Sequence, residues 1–420
     1  PVDGLMTALI GGVLLLQRAR VSRVEQELAS SWRAAREIRP TPAVLAERPE
    51  IRRRRRLGLT VGLVLLAGYP FVMSPLQTAR TTTAVIYGLV GLSLLLLSGW
   101  AGQLSLGQFA LAGAGAYVAS LAAVNLSMPM PVALVAGGLA GAAGAVLIGV
   151  PALRMRGLHL AITTLAVSLA ASSILFSPSE LGRFIPETLD RPSWLGFDLD
   201  DGRSFYFVSL LLTGAAALGV RWLRASRFGR TLIAARDNEP AAQAFGIAVV
   251  RLRVQAFAIS GFLAGVAGSL LAYQQFGLKA ASFTPDTSVV VFLMALIGGL
   301  GALSGPLIGA AYLGMLSIAA VSLLVLFLGT GGGLVFLLMT APGGLAQIVF
   351  GVRDAALRRF ARRRGIHVPS LIGRDGGAGE RGKLAPKTEG EGRAVFVPRR
   401  YRLDGQWAVP EPEPAEAPNG

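Results

Sequence analysis

Between Arg80 and Arg154, and again between Asp286 and Arg353, the chain carries no Asp, Glu, Lys or Arg. Each uncharged run exceeds the roughly 20 residues of one membrane span about threefold, so each must fold into several spans. Breaks at Gly, Pro and Asn divide the apolar stretches into about ten helices. They fall near 57–75, 81–99, 103–124, 131–152, 157–176, 204–223, 254–275, 287–303, 306–328 and 333–351. The pattern predicts an all-α integral membrane protein with a transmembrane domain over 57–351.

The loops test this register. With residue 56 inside, the inner loops carry nine basic residues: Arg154, Arg156, Arg221, Arg224, Arg227, Arg230, Arg236, Arg251 and Arg253. The outer loops carry five, Arg80, Arg183, Arg191, Arg203 and Lys279, with seven acidic residues at 180, 187, 190, 198, 200, 201 and 286. The excess of inner Arg places both ends of the domain in the cytoplasm.

Composition agrees. The chain is 53% hydrophobic and 15% charged, against about 25% charged for a soluble domain, and its mean hydropathy is +0.57. The net charge of +16 does not call for nucleic acid. Twelve basic residues precede Leu57 and fourteen follow Gly351, flanking the spans where they meet anionic lipid headgroups. There is no cysteine, and His159 and His367 stand far apart, so a thiolate or clustered metal site is not expected. No cofactor is expected either.

Residues 1–56 read as the end of a preceding span, "LMTALIGGVLLLQRAR", followed by an Arg-rich cytoplasmic segment that ends in Arg52–Arg56. The basic residues follow the apolar run, the reverse of a signal peptide. The reading is of a chain cut from a longer, fused precursor. Residues 352–420 read as a basic cytoplasmic tail, mostly disordered, since its Gly-, Pro- and Glu-rich composition cannot bury a core. Within it, "GAGERGKL" imitates two nucleotide motifs. It lacks the flanking strand and helix, and Leu384 replaces the hydroxyl residue that would hold magnesium. No ATPase site and no catalytic constellation is expected.

One apolar stretch, "GWAGQLSLGQFALAGAGAY" (99–117), contains Gln103, Ser105 and Gln108 among glycines that include Gly107. A buried amide without a partner costs a few kcal/mol. Either these groups hydrogen-bond neighbouring helices, or a short helix break lets them line a passage. Hydroxyls at Thr163, Thr164, Ser168 and Ser172 recur near helical spacing and could face the same interior.

The inner loop 224–253 is charged yet reads as two short helices broken at Asn238–Pro240. Asn238 caps the second, Pro240 occupies its first turn, and Gly246 ends it. An ordinary solvated loop needs no such caps, so the reading is a docking surface.

At these residues the chain resembles the permeases of branched-chain amino acid ABC importers. The resemblance covers about 57–351 and rests on "LSGWAGQLSLGQFALAGAGAYVASL", "RGLHLAITTLA" and "SRFGRTLIAARDNEPAAQAFGIAVVRLRVQAFAISGFLAGVAGSLLA". "IGGLGALSGPLIGA" and "MTAPGGL" follow in the family's order. It implies a type II ABC-importer fold in the bacterial cytoplasmic membrane, two ATP-binding subunits, a second permease subunit and an extracytoplasmic substrate-binding protein. It also implies an ATPase-coupling loop at Arg227, Gly229, Arg236, Asp237, Asn238, Glu239 and Gly246. The front segment then suggests the second half of a fused two-permease chain. Permeases for urea or short amides look much alike and are the alternative. An ion-coupled secondary transporter would need an ionisable residue within a span, and none is visible.

Overall fold

The residue before Pro75 is Ser74, and three residues on comes Gln77. In the computed structural model these form a capping box that opens a long apolar helix. The structure describes residues 48–152, 158–176, 181–186, 188–194, 197–319, 341 and 343–363. All fall in the first of the chain's two compact units, Pro1–His367; the second, Val368–Gly420, lies outside them.

The described helices are α1 (Pro49–Val72), α2 (Pro75–Leu94), α3 (Gln108–Val124), α4 (Met130–Ala152), α5 (Leu158–Leu175), α6 (Gly202–Ala225), α7 (Arg227–Asp237), α8 (Glu239–Ala244), α9 (Val249–Gln274), α10 (Pro285–Gly298), α11 (Ser304–Ala319) and α12 (Gly344–Arg363). A two-residue hairpin, β1 (Ser193–Trp194) with β2 (Phe197–Asp198), sits in the loop before α6.

The first eight expected spans each fall on a helix, and the ninth, 306–328, begins in α11 and runs on outside the described residues after Ala319. Among the described residues five helices, beginning at Pro49, Pro75, Met130, Gly202 and Val249, are long and apolar enough to cross a bilayer. Four more are apolar but shorter: Gln108–Val124, Leu160–Leu175, Pro285–Gly298 and Ser304–Ile318. The tenth expected span, 333–351, begins outside the described residues. Its C-terminal half opens α12, which turns on Gly344 and runs to Arg363, past Arg353, Asp354, Arg358 and Arg359. The stretch read as a tail from 352 therefore starts as helix.

Packing follows the glycines. α9 lies against α3 and α4, and a Cβ at Gly115, Gly141, Gly261, Gly265 or Gly268 would collide with facing backbone. Only glycine allows these three backbones to approach so closely, which is how apolar helices associate where lipid removes the hydrophobic drive. Ser269 Oγ adds a hydrogen bond to Gly115 O at 3.2 Å. A second close pair joins α10 to α11 through Gly298, Gly305 and Gly309. By contrast α1 exposes Leu57, Leu63, Val64, Leu65 and Phe71, a lipid-compatible face.

The loop before α6 is locked by Arg191. It is buried and donates to the carbonyls of Tyr273 and Gln274, each at 2.9 Å. Its guanidinium lies 4.3 Å from the Phe205 ring centroid and 4.1 Å from that of Phe276. Burial pushes its pKa below the ordinary arginine value, while Asp200 pulls it back up. An arginine so placed stays charged across the physiological range.

Candidate functional site: a broken span beside a capped loop

α2 does not run straight into a turn. Directly after it, Leu95–Trp100 widen into a π-helical turn, a form that recurs at functional sites. Residues 101–107 are then non-helical, and α3 starts only at Gln108. The third span therefore begins five residues later than expected. One contributor is local: Gly102 has φ +70°, a left-handed conformation open to glycine and costly for other residues.

The backbone freed by the break finds partners inside the protein, as a membrane setting demands. Leu106 N donates to Thr164 Oγ1 on α5 at 3.0 Å, and Phe109 N to Ser288 Oγ on α10 at 3.0 Å. Ser98 Oγ donates to Gln103 O at 3.0 Å. Gly107 N lies 3.4 Å from Ser105 Oγ. Gly107 is pressed against Thr164, whose carbonyl oxygen would lie 2.7 Å from an added Cβ.

The site residues expected from sequence separate into distinct roles. Gln103 and Ser105 are buried within the break. Ser105, Gly107 and Thr164 line one small cavity with Leu111, Ala145, Ile148 and Phe257. Thr163 is half-buried, one residue off that face. Ser168 shares the buried face with Thr164, and its hydroxyl has no partner among the described residues.

Gln108 is 1% exposed. Its Nε2 donates to Ser93 Oγ at 2.9 Å and Ser260 Oγ at 2.6 Å. Each serine spends its own proton on a carbonyl: Ser93 on Val90 O at 2.6 Å, Ser260 on Ser93 O at 2.9 Å. Both hydroxyls can then only accept from Gln108, which fixes the amide's orientation. Its Oε1 is left buried without a partner among the described residues. Gln108 thus joins α2, α3 and α9. Ser93, Ser260 and Ser288 were missed by sequence reasoning; single serines in apolar runs were the signal, once partners for Gln108 were sought.

The inner loop folds as its caps dictate. Ser226 Oγ accepts from Gly229 N at 3.4 Å to open α7, and Asn238 Oδ1 accepts from Ala241 N at 3.0 Å to open α8. Gly246 ends it at φ +79°. A Cβ at Gly229 would lie 2.8 Å from Arg224 O, so the turn from α6 into α7 needs glycine. Arg227 starts α7.

Within this loop the charges divide. Glu239 is held by Arg253 through two contacts, 2.9 and 3.2 Å. Arg236 turns inward, with its side chain 8% exposed, and pairs at 2.8 Å with Asp237, which is 61% exposed. Its Nη1 donates to Gly99 O in the π turn. Arg224 stands 5.9 Å above the Trp100 ring. Phe245, 87% exposed beside Gly246, was not singled out from sequence.

Apolar helices of spanning length around a glycine-knit interior, with a helix break inside it, define a multi-pass membrane protein. The chain belongs to the family described as "Branched-chain amino acid transport system / permease component", which it matches over residues 78–346, more than half its length. It is 30% identical over 273 residues to the high-affinity branched-chain amino acid transport system permease protein LivM of Escherichia coli, covering 59% of this chain and 64% of that protein. It is 33% identical over 188 residues to the probable branched-chain amino acid transport permease protein LivH of Methanocaldococcus jannaschii, 42% of this chain and 56% of the relative. A shorter stretch, 108 residues at 37%, is similar to the ribose import permease protein RbsC of Haemophilus influenzae and covers 23% of this chain and 32% of that one. The chain spans less than two thirds of the length of these curated relatives. No solved structure matches it.

Proposed function

We propose that the chain is a permease subunit of an ATP-driven importer in the bacterial cytoplasmic membrane, forming part of the pathway for branched-chain or related amino acids. An extracytoplasmic binding protein delivers the substrate. A second permease subunit completes the pathway, and two ATP-binding subunits supply the energy, so this chain hydrolyses nothing itself. Both ends of its ten-span domain lie in the cytoplasm.

The observation that carries this reading is the contact between the capped loop and the broken span, Arg236 to Gly99. Machinery driven from the cytoplasm has to reach a weak point in the membrane domain, and here a cytoplasmic loop touches a segment whose helix is already open. Gln103, Ser105, Gly107, Gln108, Thr163 and Thr164 then lie on or beside the pathway. Neutral hydrogen-bonding groups suit a zwitterion in transit, because a fixed charge would hold it. Among the described residues no acidic or basic side chain sits mid-span, which disfavours ion coupling.

The test is uptake by the complete complex in proteoliposomes. ATP-dependent leucine accumulation that excess valine abolishes and excess urea leaves intact supports the reading. Urea or amide transport without leucine uptake replaces it with the alternative.

A further inference from the structure

We propose that Arg236 is a latch: it ties the cytoplasmic loop to the open segment between α2 and α3, so that movement of α7 opens or closes that segment. The inference rests on the transport reading above, since it supplies that transporter with a moving part.

Three features converge on this side chain. In a continuous α-helix the carbonyl of Gly99 would accept from the amide of residue 103. Here Gln103 N goes to Leu97 O at 3.0 Å, and the freed Gly99 carbonyl takes the guanidinium of Arg236. The arginine stem lies over Gly102, where an added Cβ would stand 2.8 Å from Arg236 Cγ. The same guanidinium holds Asp237, with Arg236 Nε donating to Asp237 Oδ1 at 2.9 Å, and the Asp237 side chain is 61% exposed. One side chain therefore joins an exposed anion on the loop to a carbonyl that exists as a free acceptor only because the helix is broken.

The loop is built to move as a rod. α7 spans eleven residues between Ser226 and Asn238, both in extended backbone conformations. Single extended residues at each end of a rigid helix can absorb φ/ψ change. Arg236 sits in the last turn of that rod, next to the Asn238 end.

The test uses the full chain in inside-out membrane vesicles with one cysteine, Gln103→Cys, in a sequence that has none of its own. A membrane-impermeant maleimide reports how open the segment is to the cytoplasm. Arg236→Ala is expected to raise the labelling rate roughly tenfold, the shift that losing one hydrogen bond to a charged group allows. Gly102→Ala, which displaces the arginine stem and also strains the left-handed turn without altering the charge, is expected to raise it at least as much. Arg236→Lys, keeping stem and charge but not the fork, falls between. Gly214→Ala, at a glycine with open space around it, is the control and leaves the rate unchanged. Equal labelling in the parent, Arg236→Ala and Gly102→Ala proteins overturns the latch. The assay needs neither substrate nor ATP, so that result leaves the transport reading to the uptake experiment.

Discussion

The hydroxyl of Tyr206, on α6, donates to the carbonyl of Leu66, on α1, at 2.9 Å. Leu66 stands four residues before Pro70, which lies inside α1 and has no N–H to give. The tyrosine supplies the bond that the proline removes. Tyr206→Phe is therefore expected to cost about 1–3 kcal/mol, the cost of a part-buried carbonyl left unpaired away from water. In a Pro70→Ala background, where the residue-70 amide can reach Leu66, the same change is expected to cost less than about 0.5 kcal/mol. Thermal unfolding of the detergent-solubilised variants measures both; equal losses in the two backgrounds contradict the pairing.

Gln108 makes a different kind of junction. Its amide gives two protons to serines whose own protons are committed elsewhere. Gln108→Glu keeps the shape but, held neutral by burial, offers one O–H in place of two N–H donors, so one serine would face an acceptor. It is expected to be less stable than Gln108→Met, which takes away the donor to both serines but leaves their own bonds to carbonyls, removes the orphaned Oε1 and adds no acidic group. Melting temperatures that rank the glutamate above the methionine count against the assigned orientation.

Close helix approach can be tested at Gly265. A methyl group there would meet the backbone of Gly137 and Gly138, neither of which has a side chain that can give way. Gly265→Ala is expected to lower the folded yield severalfold or to shift the melting temperature down by several degrees. Gly214→Ala, in open space on α6, is expected to be neutral or slightly stabilising through helix propensity.

The positions of the helices were legible because hydropathy and the charged residues between apolar stretches record where each stretch must end. Caps at Asn238 and Gly246 were legible because few residue types serve them. The late start of α3 was not. A short break among Gln103, Ser105 and Gln108 was one of two readings of the sequence, and what selects it is the left-handed Gly102 together with Thr164, Ser288 and Arg236, which lie far away in sequence. Likewise the inward turn of Arg236 could not be read from a loop of alternating charges. Its partner is a backbone carbonyl, and a sequence does not mark one carbonyl as free.

The loop surface available to ATP-binding partners is expected to centre on Asp237, an exposed anion at the end of α7, and Phe245, an exposed aromatic just after α8. Asp237→Lys and Phe245→Ser are each expected to cut ATP-driven uptake at least tenfold while the protein stays in the membrane, as loss of an interface anchor would. Glu239→Lys acts differently, by breaking the Arg253 pair inside the loop. Adding Arg253→Glu is expected to restore part of its function. Normal uptake in both surface variants would move the coupling surface elsewhere.

Deleting residues 367–420 is expected to leave uptake within a few-fold of the parent, because the composition of that segment offers neither a core nor a phosphate site. Loss of ATP turnover on changing Lys383 alone would refute this.

The most direct measurement concerns Ser105, which lies in the helix break and lines the small cavity with Thr164. In the complete complex a single cysteine at this position is exposed to a water-soluble thiol reagent while uptake is followed. If the break lies on the pathway, labelling blocks uptake, and its rate changes when ATP is trapped in the partner subunits. A Ser105→Cys complex that transports normally, and whose thiol stays unreactive with and without trapped ATP, would contradict a passage through this break.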